Sequence, residues 1–266
     1  MDILTHTLSG IAVGTVISGF SRNGFKSKFE VIVFSAIGGA LPDIDAISLW
    51  SGFDKTFGKL FRLNHPGKDI YVSKFWYSHH GFFHSLLASL ILAFVIGLLF
   101  YAIQRRTTNY SLWDSLKANG FILTGFILGF IIHLLEDMPT PVGAWGGVRL
   151  LWPSKLYFGG TGDIWWWNNY DIFLIVAGCI LINGIILIVN RGIHIDISKI
   201  TILVFVVASV LCIIQIKTRS YDFNCPGLSN KYQRGEQKSK EIQHKVLGNK
   251  VSGVMEKFDR RVPFNF

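Results

Sequence analysis

The chain has 266 residues, half of them apolar and only 16% charged, with a formal net charge of +9 and a mean hydropathy of +0.40. A soluble domain carries about 25% charged residues. The deficit excludes an ordinary soluble enzyme and points to an all-α, polytopic membrane bundle.

The first apolar run, residues 8–20, is short and rich in Gly and Ala. It follows Met1-Asp2 without a basic stretch, so it does not read as a cleaved signal peptide. Gly10 and Gly14 form a G-x-x-x-G, a spacing that permits close helix contact. Residues 29–50, 82–103, 119–135, 171–190 and 200–216 are each near the ~20 residues that cross hydrocarbon. The expectation is five spans, or six if the first run also crosses. Two long loops intervene. Residues 51–78 hold Lys55, Lys59, Arg62, His65, Lys68 and Lys74 before Phe75-Trp76-Tyr77. Residues 138–170 hold Pro139, Pro141, Trp152-Pro153 and Trp165-Trp166-Trp167. Trp and Tyr favour the headgroup level, so both loops should lie along the interface, either as anchors or as part of a lipid-substrate site.

Residues 1–216 read as one membrane domain and 217–266 as a polar tail. The tail carries 11 of the 26 Lys and Arg. A basic tail beside a bilayer suits anionic lipid better than nucleic acid, and no nucleic-acid partner is expected. Cys179, Cys212 and Cys225 have no metal-like spacing and give no disulfide framework. Oligomeric state is not legible.

The chemistry-bearing residues fall in four islands at the ends of apolar runs: His6; Asp43 and Asp45 in Leu41-Pro42-Asp43-Ile44-Asp45; His79, His80 and His84; and His133, Glu136 and Asp137. If the runs cross in alternation, the end of the second, the start of the third and the end of the fourth emerge on one face, here called X. A spanning first run adds His6. The positive-inside count leans only slightly towards X being cytoplasmic.

Ionisable groups in membrane segments are costly and mark functional sites. His133 and Asp137 are four apart, on one helix face. They suit either a shared metal ion or a buried hydrogen bond. Glu136 is also within reach, with a solvated loop residue as its plain alternative. Asp43 and Asp45 diverge by about 200° on a regular helix, so both serve one site only if Pro42 breaks the helix. His80 and His84 share a helical face if the helix already includes His80, while His79 would join from a preceding turn. Ser85 and Thr140 read as supporting hydrogen-bonders or caps. Asp171 reads as a further ligand or a helix-start carboxylate, and His65 as a solvated loop residue. Mixed imidazole and carboxylate donors suit zinc, manganese or iron. Their number exceeds the needs of one tetrahedral zinc and points to two ions. No P-loop, dinucleotide fingerprint or G-x-S-x-G elbow is present.

With these residues in view, residues 1–155 resemble the YdjM-like family of bacterial inner-membrane proteins, described as metal-dependent hydrolases. The resemblance rests on Thr5-His6, Leu41–Asp45, His79-x-Gly81-Phe82-x-His84-Ser85, His133-x3-Asp137-x2-Thr140-Pro141 and Leu151-Trp152-Pro153. The family is distantly similar to zinc-dependent phospholipases C, which implies phosphoester hydrolysis. Two positions depart from the pattern: His80 stands where the family usually has Arg, and Phe83 where it usually has Thr. The resemblance implies ligand status for His79 and His84, whereas helix geometry prefers His80. The expected metal ligands are His6, Asp43, Asp45, His79, His84, His133 and Asp137. Asp45 or Asp137 could instead act as base. His80, Thr140 and Trp152 are expected substrate contacts. The expected protein is a multi-pass hydrolase of the bacterial inner membrane that uses metal-activated water on a lipid or similar phosphoester. The alternative is a non-catalytic membrane protein that binds metal for transport, sensing or structure.

Overall fold

A computed structural model describes residues 3–21, 24–138, 147–159, 170–193 and 195–217, with a few isolated positions near the C-terminus. Thr140, His194, His244, Cys225 and nearly all of the tail lie outside the described residues. Among the described residues the regular elements are all helices. Six helices are long and apolar enough to cross a membrane, so the short first run joins the five others.

Helix α1 (Ile3–Phe20) and α2 (Phe25–Ala40) form an antiparallel pair. Glycines set how closely they pack. A methyl at Gly10 would lie 2.5 Å from the Ser35 carbonyl oxygen, and one at Gly14 2.8 Å from Ile32 Cα. The G-x-x-x-G therefore does what its spacing suggests: it lets two backbones touch where lipid supplies no hydrophobic driving force. Helix α2 runs into a 3-10 segment, Leu41–Leu49, with Pro42 in its first turn. The break expected at Pro42 is therefore a tightening of the helix, not an end.

A loop containing a single π-type turn (Asp54–Gly58) and the short α3 (Gly67–Val72) leads to the histidine-rich turn. The expected third run does not start at residue 82. Residues Phe82–His84 form one 3-10 turn, and α4 (Leu86–Gln104) starts only after Ser85, whose side chain accepts from Ala88 N. His80 and His84 therefore never share a helical face. His80 instead adopts a left-handed backbone, φ 63°.

After the short α5 (Leu112–Ala118), capped by Ser111 and Asp114, α6 (Gly120–Asp137) returns to the first face. Helix α4 packs on α6 through Ala88, Ala93, Phe126, Phe130 and Leu134. Gly129 brings α6 against the Ser35 backbone of α2. A side chain there overpacks the contact, which costs about 1–3 kcal/mol. Gly129→Val is accordingly expected to lower thermal stability and to displace the last turn of α6. Light-scattering or fluorescence melts of the detergent-purified protein would register the first effect.

Helix α7 (Tyr170–Ile193) and α8 (Ser198–Lys217) form a hairpin against α1. Its polar contact is the buried Asn183, whose Nδ2 donates to Thr15 Oγ1 (3.1 Å) and to the Thr201 carbonyl (3.3 Å). Neither helix supplies a described side chain to the cluster below. The Asp171 side chain is not described, so its expected choice between ligand and cap lies outside the described residues.

Candidate metal centre

Alternation of the spans brings all four islands to one face, as the topology requires. The start of α1, the 3-10 extension of α2, the turn before α4 and the end of α6 meet there. His6, His84 and His133 are fully enclosed; Asp45, His79, His80 and Asp137 are buried.

Each of the five imidazoles is held by its Nδ1. His6 Nδ1 donates to Glu136 Oε2 (2.7 Å), His79 Nδ1 to Asp45 Oδ1 (2.8 Å) and His84 Nδ1 to Asp45 Oδ2 (3.0 Å). His80 Nδ1 donates to the Gly147 carbonyl (2.8 Å), and His133 Nδ1 to the Gly39 carbonyl (2.7 Å). A carbonyl or an ionised carboxylate can only accept. The proton of each neutral ring therefore sits on Nδ1, and the Nε2 lone pair is left for the interior. Metal-ligating histidines are oriented in this way by partners behind the ring.

The inward atoms form a compact set. His84 Nε2 and His133 Nε2 are 3.2 Å apart. Asp137 Oδ2 lies 3.0 Å from His133 Nε2, 3.3 Å from His84 Nε2 and 3.6 Å from His80 Nε2. Asp43 Oδ1 lies 3.6 Å from His133 Nε2 and 3.7 Å from His84 Nε2. These are lone pairs facing lone pairs, and they repel unless a proton or a cation stands between them. The spacing suits a cation. A tetrahedron with such edges places its centre ~2.0 Å from each corner, the length of a zinc–nitrogen or zinc–oxygen bond. Asp43, His84, His133 and Asp137 supply its four corners.

A second trio, His79, His80 and His84, has donor atoms similarly close. It shares His84 with the first set, and one Nε2 serves one ion. His6 approaches from the other side, with Nε2 3.2 Å from Asp137 Oδ1 and its ring stacked on His133 at 3.8 Å. Asp137 thus presents one oxygen to each flank.

Asp45 departs from the expected ligand role. Both of its oxygens are taken by Nδ1 protons on the far side of His79 and His84. The 3-10 segment turns Asp43 and Asp45 to different sides, and they reach His84 from opposite ring edges. Glu136, weighed from sequence as a ligand or a solvated residue, accepts from His6 Nδ1 through Oε2. His80, expected to contact substrate, presents its Nε2 to Asp137. Trp152 packs edge-on against Phe82 at 5.1 Å, beside the cluster and outside it. His65 stacks on Phe75 in the loop and does not join.

Sequence reasoning missed Arg149. This buried arginine donates from Nε to the Ser154 carbonyl (2.6 Å) and from Nη2 to the Pro153 carbonyl (3.1 Å). Its backbone N–H donates to the His80 carbonyl (3.1 Å), and Leu86 N–H to the Leu150 carbonyl (3.0 Å). The segment around Arg149 thus clips the histidine turn in place. Its sequence signal was slight: one of two cations, with Lys155, in a loop of aromatic and small residues.

The rings flanking the spans carry unequal charge tendencies. Burial, then the neighbouring His79 and His84, holds His80 well below the ordinary imidazole range, so His80 is neutral. Burial lowers His84 too, but Asp45 foremost, then Asp137 and Asp43, overcome it and hold His84 well above its ordinary value. Tyr71, stacked on His79 at 4.5 Å, is kept a neutral phenol by burial and by the nearby Asp43, Asp45 and Asp137.

A family model described as YdjM inner membrane protein matches residues 1–220. No curated protein and no solved structure matches the chain.

Proposed function

Since the chain belongs to the YdjM inner membrane protein family and joins four spans around a His/Asp cluster able to hold metal, we propose that it is a metal-dependent hydrolase of amphiphilic phosphoesters. One observation carries the reading: four imidazoles anchored by Nδ1, those of His6, His80, His84 and His133, turn their Nε2 atoms towards the Asp43 and Asp137 carboxylates. A cation at their centre would satisfy these nitrogens and carboxylates together, which a network of neutral rings alone does not.

Asp43, His84, His133 and Asp137 would hold the ion, with zinc the simplest fit and manganese or iron compatible. His6 and His80, on either side of Asp137, would hold a second ion or meet the substrate. A divalent metal held there would supply a water acidified to near neutral pH and polarise a phosphoryl oxygen. The chain's own residues do the rest. Asp45, Glu136 and the Gly39 and Gly147 carbonyls fix ring orientation. Asp137, with two oxygens facing different imidazoles, is placed to hold or pass a proton.

Access favours a lipid. The cluster lies at the ends of the spans, at headgroup depth, beside Phe82 and Trp152. A soluble substrate would have no use for that placement. An acyl or glycerol moiety would rest on those aromatics while its phosphoester reaches the polar end.

The test is hydrolysis of a set of phospholipids and lipid phosphates in mixed micelles by the purified full chain, with chelation and metal restoration. Turnover that chelator removes and zinc or manganese restores supports the reading. A protein that binds metal stoichiometrically yet turns over none of the set would belong with metal transport, sensing or structure instead.

A further inference from the structure

The loop between the second span and the histidine turn carries a feature that metal chemistry does not use. Residues Asp54–Pro66 curl into a hook closed by the Gly67 N–H, which donates to Asp54 Oδ1 at 2.7 Å. The hook bounds an open concavity of ≈620 Å³, to which Asp54, Lys59, Arg62, Asn64 and His65 contribute. Beside it Phe57 contacts the rings of Trp50, the buried Phe53 and Phe61. Leu60 and Phe61 at its tip are 72% and 65% exposed.

Arg62 occupies an unusual position. Its φ is +51°. Leu63 N–H donates to the Gly58 carbonyl (2.8 Å) and Arg62 N–H to the Lys59 carbonyl (3.3 Å). This is the paired hydrogen bonding of a Schellman helix end, and Arg62 stands where such ends favour glycine. A side chain there strains the backbone, and no carboxylate among the described residues pairs with Arg62 or Lys59. The Asp54 carboxylate is spent on the backbone. A strained, unpaired arginine over a concavity needs a reason outside the fold.

We propose that this hook is a binding site for the headgroup of an anionic phospholipid of the host bilayer. The second span ends at Leu49, so the hook starts at headgroup depth. Lys59 and Arg62 face the phosphodiester, with Arg62 offering a planar fork of donors. Leu60 and Phe61 enter the acyl boundary beside it. Anionic lipid attracts such juxtamembrane cations, and two of them, outnumbering the one Asp54 carboxylate of the concavity, select against a zwitterionic headgroup.

The experiment is native mass spectrometry of the detergent-purified full chain, titrated with phosphatidylglycerol and with phosphatidylcholine of the same acyl chains. Wild type is expected to prefer phosphatidylglycerol by about tenfold, less at high salt. Arg62→Gly should bring the two lipids close to parity while its melting temperature holds or rises, because glycine relieves the left-handed residue. Lys59→Gln, at an exposed side chain, should also reduce the preference. Arg105→Gln with Arg106→Gln, at the opposite face, should leave it intact. Equal binding of both lipids by wild type, or a preference that survives Arg62→Gly and Lys59→Gln, overturns the proposal. So does displacement of the lipid by millimolar inorganic phosphate, which would assign the site to a free anion.

Discussion

Asp137→Asn is expected to strip the chain of its metal. Asp137 Oδ2 sits within 3.6 Å of three imidazole nitrogens and Oδ1 within 3.2 Å of a fourth. Among the described residues no other carboxylate approaches both His6 and His80. An amide offers one weaker oxygen and turns an NH2 group towards the remaining nitrogens. Metal content by plasma mass spectrometry should fall below about one-tenth of the wild-type value, because binding here needs deprotonated, anionic ligands. Stability should follow. A ligand present at a thousandfold its Kd contributes about 4 kcal/mol, and each kcal/mol moves the melting temperature by roughly 2–4 °C in a chain of this size. Chelation should therefore lower the wild-type melting temperature by about 10 °C and leave Asp137→Asn unmoved. A variant that keeps its metal and its response to chelator would remove Asp137 from the ligand set.

Asp45→Asn should produce a different signature. The Asp45 carboxylate accepts two Nδ1 protons at once. Asparagine can accept only one of them. Its NH2 then faces the other ring, which must move its proton to Nε2 to accept the bond. That proton would point into the metal set and block a ligand. Loss of such a supporting partner lowers metal affinity by about 10–100-fold, with the fold retained. Isothermal competition with a chromogenic chelator separates the possibilities. Weakened affinity with turnover recovered at saturating metal identifies Asp45 as a positioning residue. Unchanged affinity with lost turnover would make it the base.

How much of this was written in the sequence depends on what each pattern measures. Apolar runs report depth in the bilayer and which face each end reaches. Four polar islands at alternating run ends were therefore enough to gather His6, Asp43, His84, His133 and Asp137. The same runs say little about rotation or local winding. The 3-10 path after Pro42 separates Asp43 from Asp45, and no apolar period registers it. The histidine turn was drawn as the start of a helix because Phe82, Phe83 and Leu86 are apolar. It is instead a left-handed and 3-10 path, fixed by hydrogen bonds to Gly147 and Arg149 more than sixty residues away. The role of Glu136 was hidden for the same reason, since its partner His6 is 130 positions distant. Local spacing identified ligand types, while long-range pairing decided which atoms face inward.

The packing of α1 against the end of α6 also fixes an order in time. The stretch from His6 to Asp137 must be made and threaded before the donor set exists, because Asp137 is the last residue of α6. A nascent chain that has delivered only its first three spans holds His6, Asp43 and His84 but lacks the carboxylate that joins them. On the proposed reading, metal capture would wait until the fourth span is in place, and it would precede any need for the α7–α8 hairpin. Metal loading would then report that four crossings have been completed in the correct orientation.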